Sequence, residues 1–337
     1  MKSVFEDIVL LPVNLALFGE GNTNTTASEG LSDEMKTYYS DYLIDMAEPE
    51  LVHDQFGQKQ PIPKNGGKTI QFRKYSPLPK LTTPLEEGKT PDGQSLNVSV
   101  IEATVAQYGG YIELSDMLIL TAIDNNLVQA TKLLGGQAGR TLDTITREVL
   151  AGGTNVQFAE GQVSARNALV GGNATAANNH YLTVNAIRMA VRTLKRMNAP
   201  RKDGGYVAII HPDCAYDLMS DPNWKYPHQY QDTINIYEGE IGKIEGVRFV
   251  ETSEAKIFEK AGAASRDVYA TLVIGDDAYG VSDITGGGLQ HIVKQLGSAG
   301  TADPLNQRAT AGWKATKTAV RLVEEYMVRI ETTASAS

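Results

Sequence analysis

The feature that most constrains this fold is a long two-stranded segment with almost no apolar interior of its own. Residues 66–113 open with the alternating run KTIQFRKY, pass through a stretch with four prolines, and return along SLNVSVIEATVAQY. The prolines confine the outer part to edge-strand structure. Because an isolated hairpin is at best marginally stable in water, we predict that this one lies on another surface, in the simplest case a second subunit.

The returning strand changes its apolar phase partway along. Its apolar residues fall in two groups of alternating positions, first Leu96, Val98 and Val100 and then Ile101, Ala103 and Val105. Since successive side chains of a strand point to opposite faces, this slip of one residue predicts a bulge or a twist.

The start of the hairpin contains the last three letters of a phosphate-binding loop, Gly67, Lys68 and Thr69. That motif needs a glycine five positions before Gly67, where this chain has Ile62, and it must open a helix. The residues that follow alternate as in a strand instead. The pattern therefore favours a hairpin strand over a nucleotide-binding site.

One long helix is predicted over residues 115–150, where apolar residues recur every three or four positions from Leu120 to Val149. Ser115 is the predicted N-cap, and the glycines after Ala151 end the helix. Before the hairpin, residues 1–65 are predicted as an extended arm with one helix and without a compact core.

A second helix is predicted over residues 184–198, and its outer face carries a group of basic residues: Arg188, Arg192, Lys195 and Arg196. The chain has a net charge of −9, whereas proteins that coat DNA normally carry a basic surplus. We interpret this face as solvated or paired with carboxylates rather than as a DNA-binding surface.

The remaining chain alternates strands and helices over residues 206–291 and ends in β structure. The run ATLVIGDDAYGVSDI is predicted as a strand. Its Asp276 and Asp277 are the best candidates for an acid/base pair in a hydrolase or transferase, but a turn at a strand end explains them as well.

No other pattern indicates catalysis or a cofactor. The single cysteine, Cys214, lies near His211 with Pro212 between them, and we predict that it packs a helix rather than acting as a nucleophile. The five histidines lack metal-binding spacing: His53, His180, His211, His228 and His291. We therefore predict no catalytic, cofactor or metal site.

The N-terminal apolar run, residues 8–18, follows Glu6 and Asp7, which disfavour a signal peptide. We predict an arm that docks on a neighbouring surface. No run reaches the length of a membrane span, so no membrane partner is predicted.

The order of arm, hairpin, long helix, α/β body and closing strands resembles the major capsid proteins of tailed bacteriophages. Several phrases carry the resemblance, which extends over about residues 45–332: HDQFGQKQPIPKNGGKTIQFRKYSPLP, TPLEEGKTPDGQ, YIELSDML, YEGEIGKIEGVRFVET, GSAGTADPLNQRATAGWKATKTA and YMVRIET. Within that family, these phrases are similar to those of one subfamily, the major capsid proteins related to that of the N-four-type podophages.

The resemblance implies an α+β fold, the tailed-phage capsid fold named for phage HK-ninety-seven. By order along the chain it assigns the parts as follows: residues 1–65 to an N-terminal arm, 66–113 to an extended β-hairpin loop, 114–199 to a peripheral domain with the spine helix, 200–291 to an axial domain, and 292–337 to strands that return to the peripheral domain.

The implied function is structural. Hexamers and pentamers of the chain would form an icosahedral shell around double-stranded DNA, and an encapsulin-like compartment is the alternative. The implied partners are the chain itself, scaffolding, portal and decoration proteins, and DNA in weak non-specific contact, with the virion and, during assembly, the host cytoplasm as locations. Lys80 and Lys89 lie in the hairpin, but no motif supports a covalent crosslink through them.

The charge balance predicts weak DNA binding. Purified subunits should not bind duplex DNA with submicromolar affinity at about 150 mM salt, because an acidic chain repels the phosphates. Titration of a labelled duplex measures this. Tight binding that falls steeply with salt and is abolished by Arg188→Ala with Arg192→Ala would show that the helix face grips DNA.

Overall fold

The computed structural model describes residues 51–61, 67–75, 78–84, 87–88, 90, 93–121, 126–159, 163–171, 180–224, 240–282, 289–298 and 303–335. Within these ranges the α-helices are α1 (Asp116–Thr121), α2 (Asn126–Ala151), α3 (Val184–Arg196) and α4 (Pro212–Ser220). The strands are β1 (Gln58–Gln60), β2 (Thr69–Tyr75), β3 (Val98–Thr104), β4 (Ala106–Ser115), β5 (Val156–Phe158), β6 (Tyr206–Ile210), β7 (Glu240–Ile244), β8 (Val247–Glu251), β9 (Ile257–Phe258), β10 (Val268–Ile274), β11 (Tyr279–Ser282), β12 (Leu289–Lys294), β13 (Arg308–Lys317), β14 (Ala319–Arg321) and β15 (Met327–Thr332).

The largest sheet has seven strands in the order β5-β15-β10-β6-β8-β7, with β9 paired to β10. Its strands β6 and β10 are buried along their whole length and, apart from Thr271, consist of aliphatic and aromatic residues, as expected for a sheet covered on two sides. On one face lie apolar side chains of α3 and α4, among them Ile187 and Leu218. On the other face lie Phe56, Leu150 and Tyr279.

A smaller antiparallel sheet, β12-β13-β4, packs on the first half of α2. Leu134 and Leu142 of the helix contact Trp313 and Ala311 of β13 within one core cluster. Since Leu150 at the other end of the helix belongs to the core of the large sheet, α2 joins the two sheets.

The predicted helix over 115–150 is two helices in the structure, α1 and α2, and residues 122–125 between them lie outside the described residues. The predicted N-cap is confirmed, because the Ser115 hydroxyl accepts a hydrogen bond of 3.2 Å from the Leu118 amide. The prediction that Leu120 faces inward is wrong: its side chain is 80% exposed. It lies on α1, outside the stripe that α2 buries.

The phase slip in the returning strand, between Val100 and Ile101, lies inside β3. The pairing of β3 with β2 is regular from Val98 to Thr104, so the predicted bulge does not occur there. Instead the two apolar groups lie on opposite faces of one regular strand, Val98 and Val100 on the exposed face and Ile101 and Ala103 toward the body. The chain changes partners further on, because β4 pairs with β13 from Ala106 onward.

One other strand prediction needs correction. The run ATLVIGDDAYGVSDI forms two strands, β10 and β11, with a turn between them. The closing strand β15 lies inside the large sheet, between β5 and β10, and β12 spans the predicted domain boundary at residue 291. The domain assignment itself stays a prediction.

The prediction that residues 1–65 lack a compact core is wrong for residues 51–60, which pack on the body. Leu51 and Phe56 are buried, and β1 pairs in parallel with β11. Sequence patterns missed this because the segment is mostly polar and its partners, on α2 and on later strands, lie about ninety residues or more away. The rest of the predicted arm lies outside the described residues, apart from Pro61.

The hairpin is anchored by one aromatic ring. Phe72 is 1% exposed and lies with Ile70 and Ala103 in a small core cluster. It sits directly over Gly280 of β11, where an added Cβ would stand 2.2 Å from the ring. The missing side chain at Gly280 therefore makes the room that the anchor occupies.

Gly280→Ala should destabilise the protein by about 1–3 kcal/mol, because the new methyl group forces Phe72 out of its position. The free energy of unfolding, measured by chemical denaturation of the full chain, tests this. Gly136→Ala is the matched control: nothing lies within 4 Å of its added Cβ, and alanine favours the α2 helix by about 1 kcal/mol. If the Gly280 variant is as stable as the original chain, the packing of Phe72 over Gly280 does not anchor the hairpin.

Candidate assembly hairpin and the buried network beside it

The β2–β3 hairpin has one covered face and one open face. Ile70, Phe72 and Ala103 face the body, whereas Val98 and Val100 on the opposite face are 47% and 48% exposed. Beyond β3 and toward the tip, further leucines are exposed: Leu78 at 52%, Leu81 at 76% and Leu96 at 71%. An apolar surface this concentrated on one projecting element is typical of a protein contact.

The hairpin also carries unpaired backbone. β2 and β3 form a sheet of two strands, so each has an outer edge whose amides and carbonyls are unpaired by any described strand. Such an edge is a template for contact with another chain. The open face and the edges together make the hairpin the candidate assembly surface.

Beside the hairpin anchor lies a buried ion pair. Lys317, at the end of β13, is fully buried and bonds to Asp54. The other carboxylate oxygen of Asp54 accepts a hydrogen bond of 2.6 Å from the Thr146 hydroxyl on α2. A buried charge is tolerated only when it is paired and hydrogen-bonded, and this arrangement meets that requirement.

A second carboxylate holds the neighbouring residue. Asp143 on α2 accepts a hydrogen bond of 2.7 Å from the His53 amide, and its other oxygen lies 2.6 Å from Nδ1 of the His53 ring. The hydroxyl of Tyr279 donates to the His53 carbonyl. Burial raises the pKa of Tyr279 well above its usual value, so this hydroxyl stays protonated as a donor.

This buried network, defined as His53, Asp54, Asp143, Tyr279 and Lys317, ties the first described residues to α2, β11 and β13. Sequence patterns place His53 only among scattered histidines and do not indicate the network. The available signal was a polar residue, Asp143, beside the apolar stripe of the long helix.

Two arginines donate hydrogen bonds to carbonyls at the C-terminal end of α2. Arg329 on β15 donates to the carbonyls of Ala151 and Gly153, and Arg321 donates to the Val149 carbonyl at 3.1 Å. These bonds satisfy carbonyls that a helix end leaves free. Arg329 is also bonded to the fully buried Glu331, and burial lowers the pKa of its guanidinium.

A comparison with family models places the chain. The family model for phage capsid proteins matches residues 121–301 of the chain, which is more than half of the chain's length. The chain belongs to the phage capsid protein family.

Solved phage capsids share the fold of this capsid protein. The capsid of cyanophage P-SCSP1u is 15% identical with a TM-score of 0.59, over 83% of this chain and 87% of that one. The capsid of Ralstonia phage GP4 is 18% identical with a TM-score of 0.59, over 83% and 86%. The head of Helicobacter pylori bacteriophage KHP40 is 10% identical with a TM-score of 0.59, over 86% and 91%. A comparison with curated protein sequences found no match.

These findings confirm the predicted α+β fold of the tailed-phage capsid type. The assignment to the N-four-type subfamily stays a prediction. Proteins of this family and fold are structural, which agrees with the reading of the hairpin as a contact surface.

The candidate nucleophile of the capsid protein is inert. Cys214 is fully buried in the core between α4 and the large sheet, and burial raises its pKa to about 12. His211 caps α4 by accepting a hydrogen bond of 3.2 Å from the Asp213 amide, and burial lowers its pKa. Without a thiolate, the pair cannot begin nucleophilic catalysis.

The aspartate pair belongs to the turn between β10 and β11. The Asp276 amide donates to the Pro200 carbonyl at 3.0 Å, and Asp277 has a positive φ of 53°, as aspartates in turns often do. The turn explanation therefore accounts for both residues. Among the described residues, no group of three metal-ligating side chains comes together, and no helix is long and apolar enough to cross a membrane.

Of the basic helix face, Arg188 behaves as predicted: it pairs with Glu245 at 2.9 Å. For Arg192 no such pair occurs within the described part of the chain, so its pairing stays a prediction. Lys80 is exposed near the hairpin tip, and Lys89 lies outside the described residues.

Lys317→Met should cost about 3–5 kcal/mol of stability, because Asp54 would remain buried without a counter-charge. Combining it with Asp54→Asn removes that charge and should restore a large part of the loss. The measurement is chemical unfolding of the unassembled chain. As a control, Arg188→Ala breaks an exposed pair and should cost less than about 1 kcal/mol. Equal effects of the buried and the exposed variants would refute the network's role.

Proposed function

We propose that this capsid protein assembles into hexamers and pentamers of an icosahedral shell that encloses double-stranded DNA. The observation that carries the proposal is the hairpin, whose anchor is buried in its own subunit while Val98, Val100 and Leu96 are exposed. An exposed apolar surface of this kind marks a protein contact.

In this proposal the hairpin contacts a different part of the neighbouring subunit. Contacts of this head-to-tail type generate rings when the rotation closes. Rings of six and of five are the units from which an icosahedral shell is built. The hairpin therefore supports the proposed capsomers directly.

We assign the structural roles of the capsid fold to segments in their order along the chain. Residues 66–113 act as the extended loop, 114–199 contain the spine helix of the peripheral domain, and 200–291 form the axial domain. The residues before 66 act as the arm. Residues 292–337 return to the peripheral domain through β13, and β15 fastens them to the large sheet.

The family match favours a phage shell over the encapsulin-like alternative, because the matching model is that of phage capsid proteins. As a capsid protein the chain is a component of the virion. Assembly in the host cytoplasm, contacts with scaffolding, portal and decoration proteins, and the absence of enzymatic activity complete the proposal. The inert Cys214 thiol supports the last point.

Weak, non-specific contact with packaged DNA is also part of the proposal. Its support is the net charge of −9 and the pairing of Arg188 with Glu245, which occupies part of the basic helix face. An acidic wall lets the duplex slide during packaging.

Val98→Asp with Val100→Asp should abolish capsomers, because two charges would be forced into an apolar contact. Sedimentation velocity and electron microscopy of the purified chain under assembly conditions measure rings and shells. The control is Ser95→Asp with Asn97→Asp, which adds the same charge at exposed polar positions of the same segment. The control should assemble as the original chain does.

If the original chain remains strictly monomeric even with its scaffold supplied, the proposed function is wrong. If both variants assemble equally well, the shell proposal stands but the hairpin is not its contact surface.

A further inference from the structure

The first half of α2 carries two cations on its outer side. Lys132 and Arg140 are exposed, and neither forms an ion pair with any residue that the structure describes. Between them lie Gly135 and Gly139, and α2 runs unbroken through both, although glycine is a poor helix former. At 3.6 residues per turn these four residues share one side of the helix, and we call them the α2 flank.

The first described residues run along α2 in the direction of the helix. Leu51 lies in one core cluster with side chains from the middle of α2. His53 bonds to Asp143, 90 positions later, and Asp54 bonds to Thr146, 92 positions later. The chain that precedes Leu51 therefore approaches the α2 flank, at an offset of about ninety positions.

This preceding chain has the pattern of an acidic amphipathic helix. Residues 32–48, SDEMKTYYSDYLIDMAE, lie outside the described residues, and their sequence predicts a helix that Ser32 caps and Pro49 follows. Apolar residues recur at helical spacing along one side: Met35, Tyr39, Tyr42 and Met46. Most of the carboxylates lie on one flank of that stripe: Glu34, Asp41, Asp45 and Glu48. Residues 32–50 carry six carboxylates and one lysine, a net charge of −5.

The length and the charge of this segment both fit the α2 flank. A helix of its 17 residues is about 25 Å long at 1.5 Å per residue, or about two thirds of α2. The offset of about ninety positions brings Asp45 close to Lys132 and Glu48 close to Arg140. Because the two helices run in the same direction, the acidic flank of one faces the basic flank of the other.

The short connection to Leu51 decides which copy of α2 the segment meets. Only Pro49 and Glu50 lie between the predicted helix and Leu51, and three extended residue steps span about 10 Å at most. That distance is also the usual separation of two packed helices. The segment is therefore held beside the α2 of its own subunit.

We propose that residues 32–48 form a helix that packs along the α2 flank of the same subunit. Its apolar stripe lies over Gly135 and Gly139, where no side chain blocks a close approach, and its carboxylates lie beside Lys132 and Arg140. The contact belongs to the single subunit and does not depend on shell formation. The first thirty-one residues then leave the subunit near the N-terminal end of α2, and the apolar run at residues 8–18 reaches a neighbouring surface from there.

Carbodiimide coupling tests the contact in the full chain, because the reagent joins a carboxylate to a lysine amine that touches it. Peptide mass spectrometry should identify a product that joins Lys132 to a carboxylate of residues 41–50. The pair of Lys256 and Glu148, 2.7 Å apart, is the internal positive control. The Lys132→Arg variant keeps the charge but has no amine to couple, so it should lose the product.

Mixing isotope-labelled and unlabelled chains before coupling distinguishes the two possible subunits. Both peptides of the Lys132 product should carry the same label, in unassembled chains and in shells alike. Products that join a labelled to an unlabelled peptide would place the segment on a neighbouring subunit, which overturns the inference and leaves the proposed function intact. Coupling of Lys256 to Glu148 without any Lys132 product would overturn the inference as well.

Charge reversal gives a second test, read by hydrogen exchange of the amides in residues 32–48. Lys132→Glu with Arg140→Glu should speed this exchange about tenfold, because two exposed ion pairs become repulsions. Asp45→Lys with Glu48→Lys should have the same effect, and the combination of all four changes should restore slow exchange.

The matched control for charge reversal is Lys195→Glu with Arg196→Glu on α3, which changes the net charge equally at exposed positions elsewhere. It should leave the exchange of residues 32–48 unchanged. If the control speeds the exchange as much as the α2 variant does, or if the fourfold combination exchanges faster than either pair alone, the proposed contact is wrong.

Discussion

Two carboxylates buried inside the body constrain the rest of this structure. Asp54 and Asp143 cannot lie in the interior without partners, and their partners come from distant parts of the chain. Lys317 is 263 residues from Asp54, and His53 is 90 residues from Asp143. Because His53 and Asp54 bond to Asp143 and Lys317, the first described residues lie between α2 and the end of β13. Once they are there, Phe56 can enter the core and β1 can pair with β11.

The strand β11 connects this network to the hairpin. Its Tyr279 donates to the His53 carbonyl, and the next residue, Gly280, lies under the Phe72 ring. Adjacent residues of a strand point to opposite faces, so one short strand positions the buried network on one side and the hairpin anchor on the other. A disturbance of the network should therefore also change how firmly the hairpin is held.

Local patterns predicted the elements whose cores are close in sequence. The helix α3 was predicted from the spacing of Ile187, Val191 and Leu194, all of which are buried, and the hairpin was predicted from its alternation and turns. The incorrect predictions concern segments whose structure depends on contacts with residues that are distant in sequence. Leu120 fits a helical stripe but is exposed on α1, whereas Leu51 and Phe56, in a segment predicted to lack a core, are buried. The buried network could not be predicted because it pairs polar residues that no periodicity connects.

The strand β4 gives the capsid protein a mechanical property. It begins one residue after the hairpin, runs through ten paired residues along β13, and ends where α1 begins. At about 3.4 Å per residue, it spans about 30 Å between the end of the hairpin and the start of α1. Because a strand held along its length in a sheet does not bend easily, it acts as a strut of fixed length and direction between them. The distance between the hairpin and α1 is then a dimension of the folded subunit, set before any two copies touch.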